Sequence, residues 1–315
     1  MCGQCGIIVA GAGPVGHLLK EMETAMVHRG PDSTGFALYG EEPRKDRIIV
    51  RARIAEASRS DETIGRIVDG MTAIGGALGG EPTVDAAAAS SDRFVRLVVR
   101  FDGPTEQLLE TIERVEGVVV HSMGRRLEIV KDVGAANKVA ARHGIEEFVG
   151  THGLAHSRLA TESVVNVEWS HPFWARPFLD IAIAHNGQLT NHNKMRRLMT
   201  QRGLRFLTDN DSEVIAVFIA EQLSLGVSLE DALARSIDVL DGVFTYLLST
   251  DAGIGVASDR LAIKPVVVTE TSTSIAMATE EQALRRIFAE EIDTYVPLEG
   301  TVRVWPVPPT ERRAA

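Results

Sequence analysis

The second residue of the chain is a cysteine, whose thiol can act as a nucleophile if a base lies beside it. An initiator methionine is removed when the next residue is small, and removal of Met1 would leave Cys2 with a free α-amino group. Such an amine has a pKa of about 7.7–8.0 and can accept the thiol proton. The position of this cysteine therefore predicts a nucleophile and its base on one residue.

A second cysteine, Cys5, gives the two thiols the Cys-x-x-Cys spacing of redox proteins. The pair stands at the start of the chain, without the strand that precedes a thioredoxin-like motif, so a redox function is disfavoured. Two cysteines three residues apart cannot build a disulfide framework, and an iron–sulfur cluster needs about four thiolates. We therefore expect neither an iron–sulfur cluster nor another metal site in this chain.

The composition is that of a globular protein with room for a large core. The 315 residues are 44% hydrophobic and 24% charged, with a formal net charge of −10. An excess of negative charge disfavours binding to nucleic acid. The start of the chain lacks the features of a signal peptide, and no apolar run reaches the length of a membrane span. We therefore expect a cytoplasmic protein without nucleic-acid or membrane partners.

A glycine-rich stretch follows the cysteines. Residues 6–10 are apolar and β-branched, which predicts a strand. Residues 11–16 then match the G-x-G-x-x-G pattern of dinucleotide-binding loops. Pro14 interrupts the pattern, and no second βα unit or acidic ribose contact follows at the required distance. We therefore interpret the stretch as a turn into a helix over residues 15–27, where apolar side chains recur at helical spacing.

Three later stretches place polar side chains where a predicted strand or turn ends. One apolar strand ends in Arg158, and a second, over residues 181–184, runs toward Asn186 and Gly187. A polar turn contains Asp211, which can cap the next helix. Taken alone, each has a simple structural explanation, namely a surface arginine, an Asn-Gly turn and a helix cap. Their joint occurrence indicates a functional site.

The stretch between residues 44 and 149 concentrates no catalytic chemistry. Its apolar pattern predicts a β-α-β-β unit at about residues 94–131, which resembles a ferredoxin-like fragment. The alanine-rich residues 86–91 before this unit are typical of a surface linker. Strands and helices alternate up to residue 305, and residues 306–315 are expected to form a tail.

Together, the polar stretches resemble the class II glutamine amidotransferases, the N-terminal-nucleophile hydrolases that include the glutaminase domains of glutamate synthase and asparagine synthetase. The matching motifs occur in the family's order. They are Met1-Cys2-Gly3-x-Cys5-Gly6, His28-Arg29-Gly30-Pro31-Asp32-Ser33-x-Gly35, His156-Ser157-Arg158-x-Ala160-Thr161, Ser170-His171-Pro172-Phe173, His185-Asn186-Gly187-x-Leu189-x-Asn191, Asn210-Asp211-Ser212-Glu213-Val214, and Ala257-Ser258-Asp259-Arg260 through Lys264-Pro265. The sequence is most similar to the stand-alone amidotransferase subunit of N-methylglutamate synthase and glutamate-synthase-like complexes.

The resemblance covers about residues 1–40 and 150–305 and implies a fold. That fold is α+β, the four-layer α-β-β-α sandwich of N-terminal-nucleophile hydrolases, with two stacked, mostly antiparallel sheets and an inserted α/β segment. It also implies one amidotransferase domain over residues 1–305, interrupted by an insertion at 44–149 and followed by the tail at 306–315.

The resemblance also favours one of the two cysteines as the nucleophile. The family's next glycine falls four places after its nucleophile, and Gly6 satisfies this rule for Cys2. Counted from Cys5, the same place is Val9. A start at Cys5 would also need a special processing protease, so Cys2 is the preferred nucleophile.

The implied reaction is hydrolysis of L-glutamine to glutamate and ammonia through a γ-glutamyl thioester on Cys2. By resemblance, the Asn186 side chain and the Gly187 backbone N–H stabilise the tetrahedral oxyanion. The guanidinium of Arg158 offers a bidentate fork to the α-carboxylate, and Asp211 offers an anion to the α-ammonium group.

Four further positions complete the expected site. Thr161 and His171 join the substrate-binding residues, although His171 takes no chemical step. Arg29 and Asp32 are expected to pair with each other and to shape the site.

The ammonia acceptor is expected on another chain, because no synthetase pattern follows the amidotransferase motifs. The resemblance implies a hetero-oligomer with synthase-type partner subunits that receive ammonia through a tunnel. FMN and an iron–sulfur cluster are expected on those partners, and no cofactor is expected in this chain. One alternative is a catalytically silent regulatory or scaffold subunit that retains Met1. Another is an amidohydrolase for a different amide, although Arg158 with Asp211 favours a free amino acid.

Overall fold

The computed structural model describes residues 2–41, 46–85, 92–159 and 165–308. The helices in these ranges are α1 (Val15–Ala25), α2 (Ser60–Ala73), α3 (Thr105–Glu113), α4 (Ala136–His143), α5 (His192–Gln201), α6 (Asp211–Ser224), α7 (Leu229–Val239) and α8 (Glu281–Ile287). The strands are β1 (Gly3–Gly13), β2 (Ser33–Tyr39), β3 (Ile48–Ile54), β4 (Ala77–Leu78), β5 (Thr83–Val84), β6 (Arg93–Arg100), β7 (Val118–Gly124), β8 (Leu127–Val133), β9 (Gly150–Arg158), β10 (Phe173–Trp174), β11 (Ala182–Leu189), β12 (Gly242–Thr250), β13 (Gly253–Ser258), β14 (Val267–Glu270), β15 (Ser274–Ala278) and β16 (Val302–Pro306). None of the described helices combines the length and apolar character that a membrane crossing requires.

Six strands form the first sheet, in the order β14-β15-β1-β9-β2-β8, and each neighbouring pair is antiparallel. Strand β1 lies inside this sheet because residues 3–9 are mainly apolar or small and are buried on both faces. Gly3 of β1 pairs with Ser157 of β9. The register therefore places Cys2 beside the end of β9, which carries Arg158.

Five strands form the second sheet, in the order β10-β11-β12-β13-β16, again with antiparallel neighbours. Strand β11 runs from a buried apolar half into the polar residues Asn186 and Gly187. These two residues pair with Thr245 and Phe244 of β12, respectively. The central strand β12 thus supports the segment that was expected to bind the oxyanion.

Helices α1, α4 and α8 cover the outer face of the first sheet. Leu19 and Met22 of α1, Val139 of α4 and Leu284 of α8 share an apolar cluster with Ile7 of β1. On α1 the two side chains are three residues apart, which places them on one side of the helix.

Helices α6 and α7 cover the outer face of the second sheet. Val217 of α6 and Leu233 of α7 lie in a separate apolar cluster with Tyr246 of β12. Residues 212–220 of α6 are all buried. A helix buried around its whole circumference is expected when other helices and a sheet enclose it.

The inner faces of the two sheets pack against each other. Ile8 of β1 and Leu154 of β9 share a third cluster with Leu247 of β12 and Ile254 of β13. Ile8 faces inward and its neighbour Ile7 faces the helices, because successive side chains of a strand point to opposite faces. The four layers α-β-β-α predicted from the resemblance are therefore confirmed.

The segment expected to be an insertion contributes to two parts of the fold. Strands β4, β6, β3 and β7 form a third sheet, with β5 also paired to β6, and α2 and α3 pack against its apolar face. Strand β8 instead pairs with β2 of the first sheet along its whole length. The order β6-α3-β7-β8 corresponds to the predicted β-α-β-β unit, whereas residues 86–91 and 309–315 lie outside the described residues. The division of the chain at residues 44 and 149 stays a prediction.

The glycine-rich stretch of residues 11–16 forms the end of β1 and the start of α1. A Cβ atom on Gly16 would lie 1.8 Å from the carbonyl oxygen of Ile145, in the loop after α4. The backbone N–H of Gly16 also donates to the carbonyl of Phe148. Close packing of α1 against this loop therefore accounts for Gly16 without a phosphate ligand.

Candidate active site

A cavity of about 680 Å³ lies between the end of β9, the end of β11, the start of α6 and the turn after β13. Several residues that the sequence singled out contribute to its lining. They are Cys2, Arg29, Arg158, His171, Asn186, Gly187 and Asp211. Asp32 is not among the lining residues, and Met1 and Thr161 lie outside the described part of the chain.

Cys2 is partly exposed and lines the cavity, and three neighbouring groups donate hydrogen bonds to it. The backbone N–H of Leu159 points at Cys2 Sγ, with a distance of 3.4 Å between nitrogen and sulfur. The carbonyl oxygen of Cys2 accepts hydrogen bonds from Arg29 Nε at 3.1 Å and from Asn186 Nδ2 at 3.3 Å. These three hydrogen bonds hold Cys2 at the wall of the cavity.

Arg29 pairs with a carboxylate on a distant part of the chain. Its Nη1 lies 2.5 Å from Glu280 Oε1, at the residue that precedes α8. The pairing of Arg29 with Asp32 stays a prediction. The register of β2 with β9 places Ser33 beside Arg158, and the negative charge of Asp32 raises the pKa of Arg158. The charge of Asp32 therefore acts on Arg158.

Arg158 ends β9 and only 8% of it is exposed. Burial lowers its pKa, whereas the charges of Cys2 and Asp32 raise it. An arginine stays protonated in proteins, so the cavity contains a buried positive charge with a planar fork of donors. A carboxylate is the group that best complements such a fork.

The amide of Asn186 is oriented by two buried neighbours. His156 Nε2 lies 3.1 Å from Asn186 Oδ1, and Asn186 Nδ2 lies 3.2 Å from Thr279 Oγ1. Burial lowers the pKa of His156 to about 3, so its ring is neutral and donates through Nε2–H. Because Oδ1 accepts this proton, the NH₂ group faces the Cys2 side of the cavity.

His156 was not among the predicted site residues, although a simple signal was available. It precedes Arg158 by two positions on β9, and residues two apart on a strand share a face. Because His156 and Arg158 share a face of β9, His156 could have been predicted to lie close to the site. Thr279 follows β15, and no local pattern connects it with residues almost one hundred positions earlier.

The backbone at Gly187 requires glycine. Its φ angle is 148°, a conformation that residues with a side chain rarely adopt. A Cβ atom at this position would lie 2.1 Å from the carbonyl oxygen of Val243 on β12. The absence of a side chain therefore permits the close approach of β11 to β12.

The strand register directs the N–H of Gly187 away from β12. Its partner Phe244 donates its N–H to Asp259 Oδ2 at 2.8 Å and accepts a hydrogen bond from the Asp259 N–H. Two residues after Gly187, the N–H of Leu189 donates to Asp211 Oδ2 at 2.8 Å. Alternate N–H groups of a strand point to the same side. The Gly187 N–H therefore points toward the side of β11 where the cavity lies.

Asp211 is the first residue of α6 and brings a carboxylate into the cavity. The helix N-terminus favours a negative charge at this position. The hydroxyl of Ser212 lies 3.3 Å from Asp211 Oδ1 and 2.8 Å from both His171 Nε2 and His185 Nδ1. His171 therefore lines the cavity with its Nε2 engaged by a protein partner.

The charges of the cavity complement a zwitterion. Arg158 on β9 and Asp211 on α6 present opposite charges from different walls. Lys264 also contributes to the lining, from the turn after β13. Burial lowers the pKa of His185, and the charge of Lys264 acts in the same direction. A free amino acid, with one carboxylate and one ammonium group, matches the Arg158 and Asp211 pair.

The comparison with known proteins agrees with this geometry. Residues 156–286 match the glutamine amidotransferase domain. The protein of Methanothermobacter thermautotrophicus named "Putative glutamine amidotransferase" is 31% identical over 315 residues, which is 98% of this chain and 100% of the relative. Glutamine amidotransferase-like protein GlxB of Rhizobium meliloti is 33% identical over 97% of this chain and 98% of its own length.

The solved structure of glutamine phosphoribosylpyrophosphate amidotransferase from B. subtilis shares the fold. The TM-score is 0.58, and 96% of this chain aligns at 18% identity. This chain spans 47% of that longer protein. With relatives above 30% identity over their whole length and the fold of the N-terminal-nucleophile amidotransferases, the chain belongs to the glutamine amidotransferase family and is an enzyme that acts on the side-chain amide of glutamine.

Proposed function

We propose that this chain is a glutaminase subunit that hydrolyses L-glutamine through a thioester on Cys2. One observation carries the proposal. Cys2, Arg158, Asn186, Gly187 and Asp211, which are spread over more than two hundred positions of the sequence, line one cavity. Each corresponds to a different need of the reaction, namely the nucleophile, the two ends of the amino acid and the oxyanion.

Substrate binding uses the two ends of the amino acid. The guanidinium of Arg158 donates two hydrogen bonds to the α-carboxylate in a bidentate geometry, and the carboxylate of Asp211 accepts hydrogen bonds from the α-ammonium group. His171 lines the same cavity and supports Asp211 through Ser212. Thr161 is proposed to complete the substrate-binding residues by its position in the Arg158 motif.

The reaction begins once Met1 has been removed. The α-amine of Cys2 takes the thiol proton through a water molecule, and the sulfur attacks the carboxamide carbon. Asn186 Nδ2 and the Gly187 N–H stabilise the negative oxygen that forms. The carbon–nitrogen bond then breaks, the proton moves from the α-ammonium group to the leaving nitrogen, and ammonia departs. Water adds to the thioester, glutamate leaves and the thiol is restored.

Each oxyanion donor contributes strongly to such a reaction. Loss of one donor typically lowers kcat by about 10²–10³-fold. The geometry supports this use of Asn186, because His156 and Thr279 hold its amide in one orientation. It supports this use of Gly187, because the strand register turns its N–H away from β12.

We infer that the ammonia passes to a separate synthase-type subunit, of the N-methylglutamate synthase or glutamate-synthase-like kind. This chain aligns with 100% of the relative from Methanothermobacter thermautotrophicus and 98% of the relative from Rhizobium meliloti, so neither relative has room for a fused acceptor domain. On this proposal FMN and an iron–sulfur cluster belong to the partner subunits of a hetero-oligomer. This chain would supply only the glutaminase site.

The nucleophile is tested by mass spectrometry. The intact mass of the purified chain is measured before and after treatment with 6-diazo-5-oxo-norleucine, for the wild type, Cys2→Ala and Cys5→Ala. We expect loss of Met1 and one adduct on Cys2 that persists in Cys5→Ala and disappears in Cys2→Ala. An adduct on Cys5 would contradict the proposal. Retained Met1 without an adduct, in chain purified with its partner, would instead support a catalytically silent subunit.

The partner is tested with the complex. The chain is expressed with synthase subunits from the same genome, and product formation is measured with glutamine or with ammonium chloride as nitrogen donor. We expect Cys2→Ala to abolish the glutamine-dependent reaction and to leave the ammonia-dependent reaction. Equal loss of both reactions would argue against ammonia transfer.

A further inference from the structure

We propose that Ser212 is a positioning residue that fixes the carboxylate of Asp211 for an α-ammonium group, and that His171 and His185 direct the serine proton toward it. The inference rests on the proposed function, because it assigns to Asp211 the amino group of glutamine. It adds three residues to the recognition of that group, none of which needs to touch the substrate.

The hydroxyl of Ser212 has three polar neighbours. His171 Nε2 and His185 Nδ1 each lie 2.8 Å from Ser212 Oγ, and Asp211 Oδ1 lies 3.3 Å from it. A serine hydroxyl donates one hydrogen bond and accepts two. An ionised carboxylate only accepts, so the single proton of Ser212 must serve Asp211. Both imidazoles must then donate to Ser212 Oγ.

The surroundings of the two histidines agree with this proton assignment. Burial lowers the pKa of both, so each ring is neutral with a single N–H. The positive charges of Arg158 and Lys131 act on His171 in the same direction, and the charge of Lys264 acts likewise on His185. Asp211 opposes this effect at His185 without reversing the direction.

The second nitrogen of each ring restricts the tautomer. His171 Nδ1 and His185 Nε2 are buried and have no hydrogen-bond partner among the residues that the structure describes. A proton on either atom would be a buried, unpaired donor, and Ser212 would have to give its proton to an imidazole instead of Asp211. The N–H groups therefore belong on the nitrogens that face Ser212.

The result is a carboxylate held on both oxygens. Asp211 Oδ2 accepts the Leu189 N–H, and Oδ1 accepts the Ser212 hydroxyl proton. Leu189 belongs to the strand that carries Gly187, so the strand with the oxyanion donor also holds the carboxylate of Asp211. Within the described ranges, these two hydrogen bonds leave further lone pairs of the carboxylate for an ammonium group in the cavity. Ser212 should therefore affect recognition of the amino group and leave the chemical step unaffected.

The test separates recognition from chemistry. The KM and kcat for glutamine are measured for Ser212→Ala and Ser212→Thr, together with competitive inhibition by L-glutamate and by glutarate, which lacks the amino group. For Ser212→Ala we expect KM and the glutamate inhibition constant to rise about tenfold, which corresponds to one hydrogen bond to a charged group. We expect kcat and inhibition by glutarate to change little, and Ser212→Thr to recover most of the affinity because it restores the hydroxyl.

A second set of variants tests the proton assignment. His171→Gln places an amide N–H near the Nε2 position, whereas His171→Asn does not reach it. His185→Asn places one near Nδ1, whereas His185→Gln overshoots it. We expect His171→Gln and His185→Asn to keep more affinity for glutamate than the alternative variant at the same position. Equal losses within each pair would overturn the assignment.

Ser236→Ala is the matched control, since Ser236 is equally buried and lies on α7, where its hydroxyl contacts Leu233 and Tyr246. It should leave KM unchanged. If the wild type hydrolyses no glutamine and forms no adduct on Cys2, the proposed function fails. Suppose the wild type is active. If Ser212→Ala then weakens inhibition by glutamate and by glutarate equally, or weakens neither, only this inference fails.

Discussion

His156 donates its Nε2–H to Asn186 Oδ1 across 3.1 Å, and this bond decides which end of the Asn186 amide faces the nucleophile. Under the proposed function, reversing the amide would place an acceptor where the oxyanion would form. The buried, neutral histidine therefore determines whether Asn186 can stabilise negative charge. It does so from beneath the cavity, without lining it.

Replacing His156 should lower the rate of the chemical step. In His156→Leu the Asn186 amide loses the donor that orients it, and we expect kcat to fall by about 10²-fold, comparable to the loss of one oxyanion donor. His156→Gln should retain more activity, because its amide nitrogen can replace Nε2. Steady-state kinetics with glutamine measure the effect, with thermal unfolding as the control for folding. A wild-type kcat in His156→Leu would contradict this role.

Replacing either end of the amino-acid receptor should weaken binding. Arg158→Lys keeps the positive charge but loses the bidentate fork, and Asp211→Asn loses the negative charge. We expect each to lower kcat/KM for glutamine by about 10- to 100-fold, the effect of losing one or more charge-assisted hydrogen bonds. Arg260→Lys is the control, because the Arg260 side chain is 74% exposed and pairs with Asp238 away from the cavity lining. A similar loss in the control would show a general effect of arginine replacement.

A methyl group at Gly187 should not be tolerated. Gly187→Ala would force Cβ toward the Val243 carbonyl in a backbone conformation that alanine rarely adopts. We expect loss of activity and destabilisation by about 2–4 kcal/mol. Gly65→Ala provides the contrast, because Gly65 lies on the exposed side of α2 with open space around it, and we expect a gain of about 0.5–1 kcal/mol. Activity and chemical denaturation measure both, and a stable, active Gly187→Ala would refute the assignment.

Glu23 should make the stability depend on pH. It is fully buried on α1, and its Oε1 accepts a hydrogen bond from Cys5 Sγ at 3.3 Å. Burial raises the pKa of the Glu23 carboxyl to about 7. Because the folded state binds the proton more tightly, the contribution to stability is complete below the unfolded pKa of about 4.3 and is lost as pH rises through 7. The contribution amounts to roughly 4 kcal/mol at about 1.4 kcal/mol for each unit of pKa.

The Glu23→Gln variant isolates this effect. The glutamine cannot ionise, so we expect its unfolding free energy to exceed that of the wild type above pH 7 and to approach it near pH 4. The difference between the two proteins removes the contributions of other groups, such as the buried histidines, whose lowered pKa values have the opposite effect. Denaturant unfolding at a series of pH values measures the difference. A difference that is constant with pH would show that Glu23 is ionised in the folded protein.

Much of the site could be predicted from the sequence, because its residues stand in short motifs. Cys2, Arg158, Asn186, Gly187 and Asp211 were each identified from a motif and line one cavity in the structure. The chemistry of a side chain is a local property, and the turn or strand end that exposes it has a local pattern as well. The four-layer fold was predictable only through the resemblance, since the apolar patterns alone show strands and helices without their order in the sheets.

The partners of these residues could not be predicted in the same way. The pairing of Arg29 with Glu280, which is 251 positions away, was not expected from the sequence. Strand β8, from the segment at residues 44–149, forms the edge of the first sheet, and this position was not expected from the sequence either. Neither contact leaves a periodic or compositional signal.

The sequence by itself determined which residues can carry out the chemistry, and in which order the chain presents them. The tertiary structure decided how they face each other. Asn186 donates a hydrogen bond to the carbonyl of Cys2, 184 positions away, and His156 orients the Asn186 amide. The register of β11 with β12 turns the Gly187 N–H toward the cavity. The physical reason is that hydrogen-bond direction depends on strand register and layer packing, which arise from contacts between segments far apart in the chain.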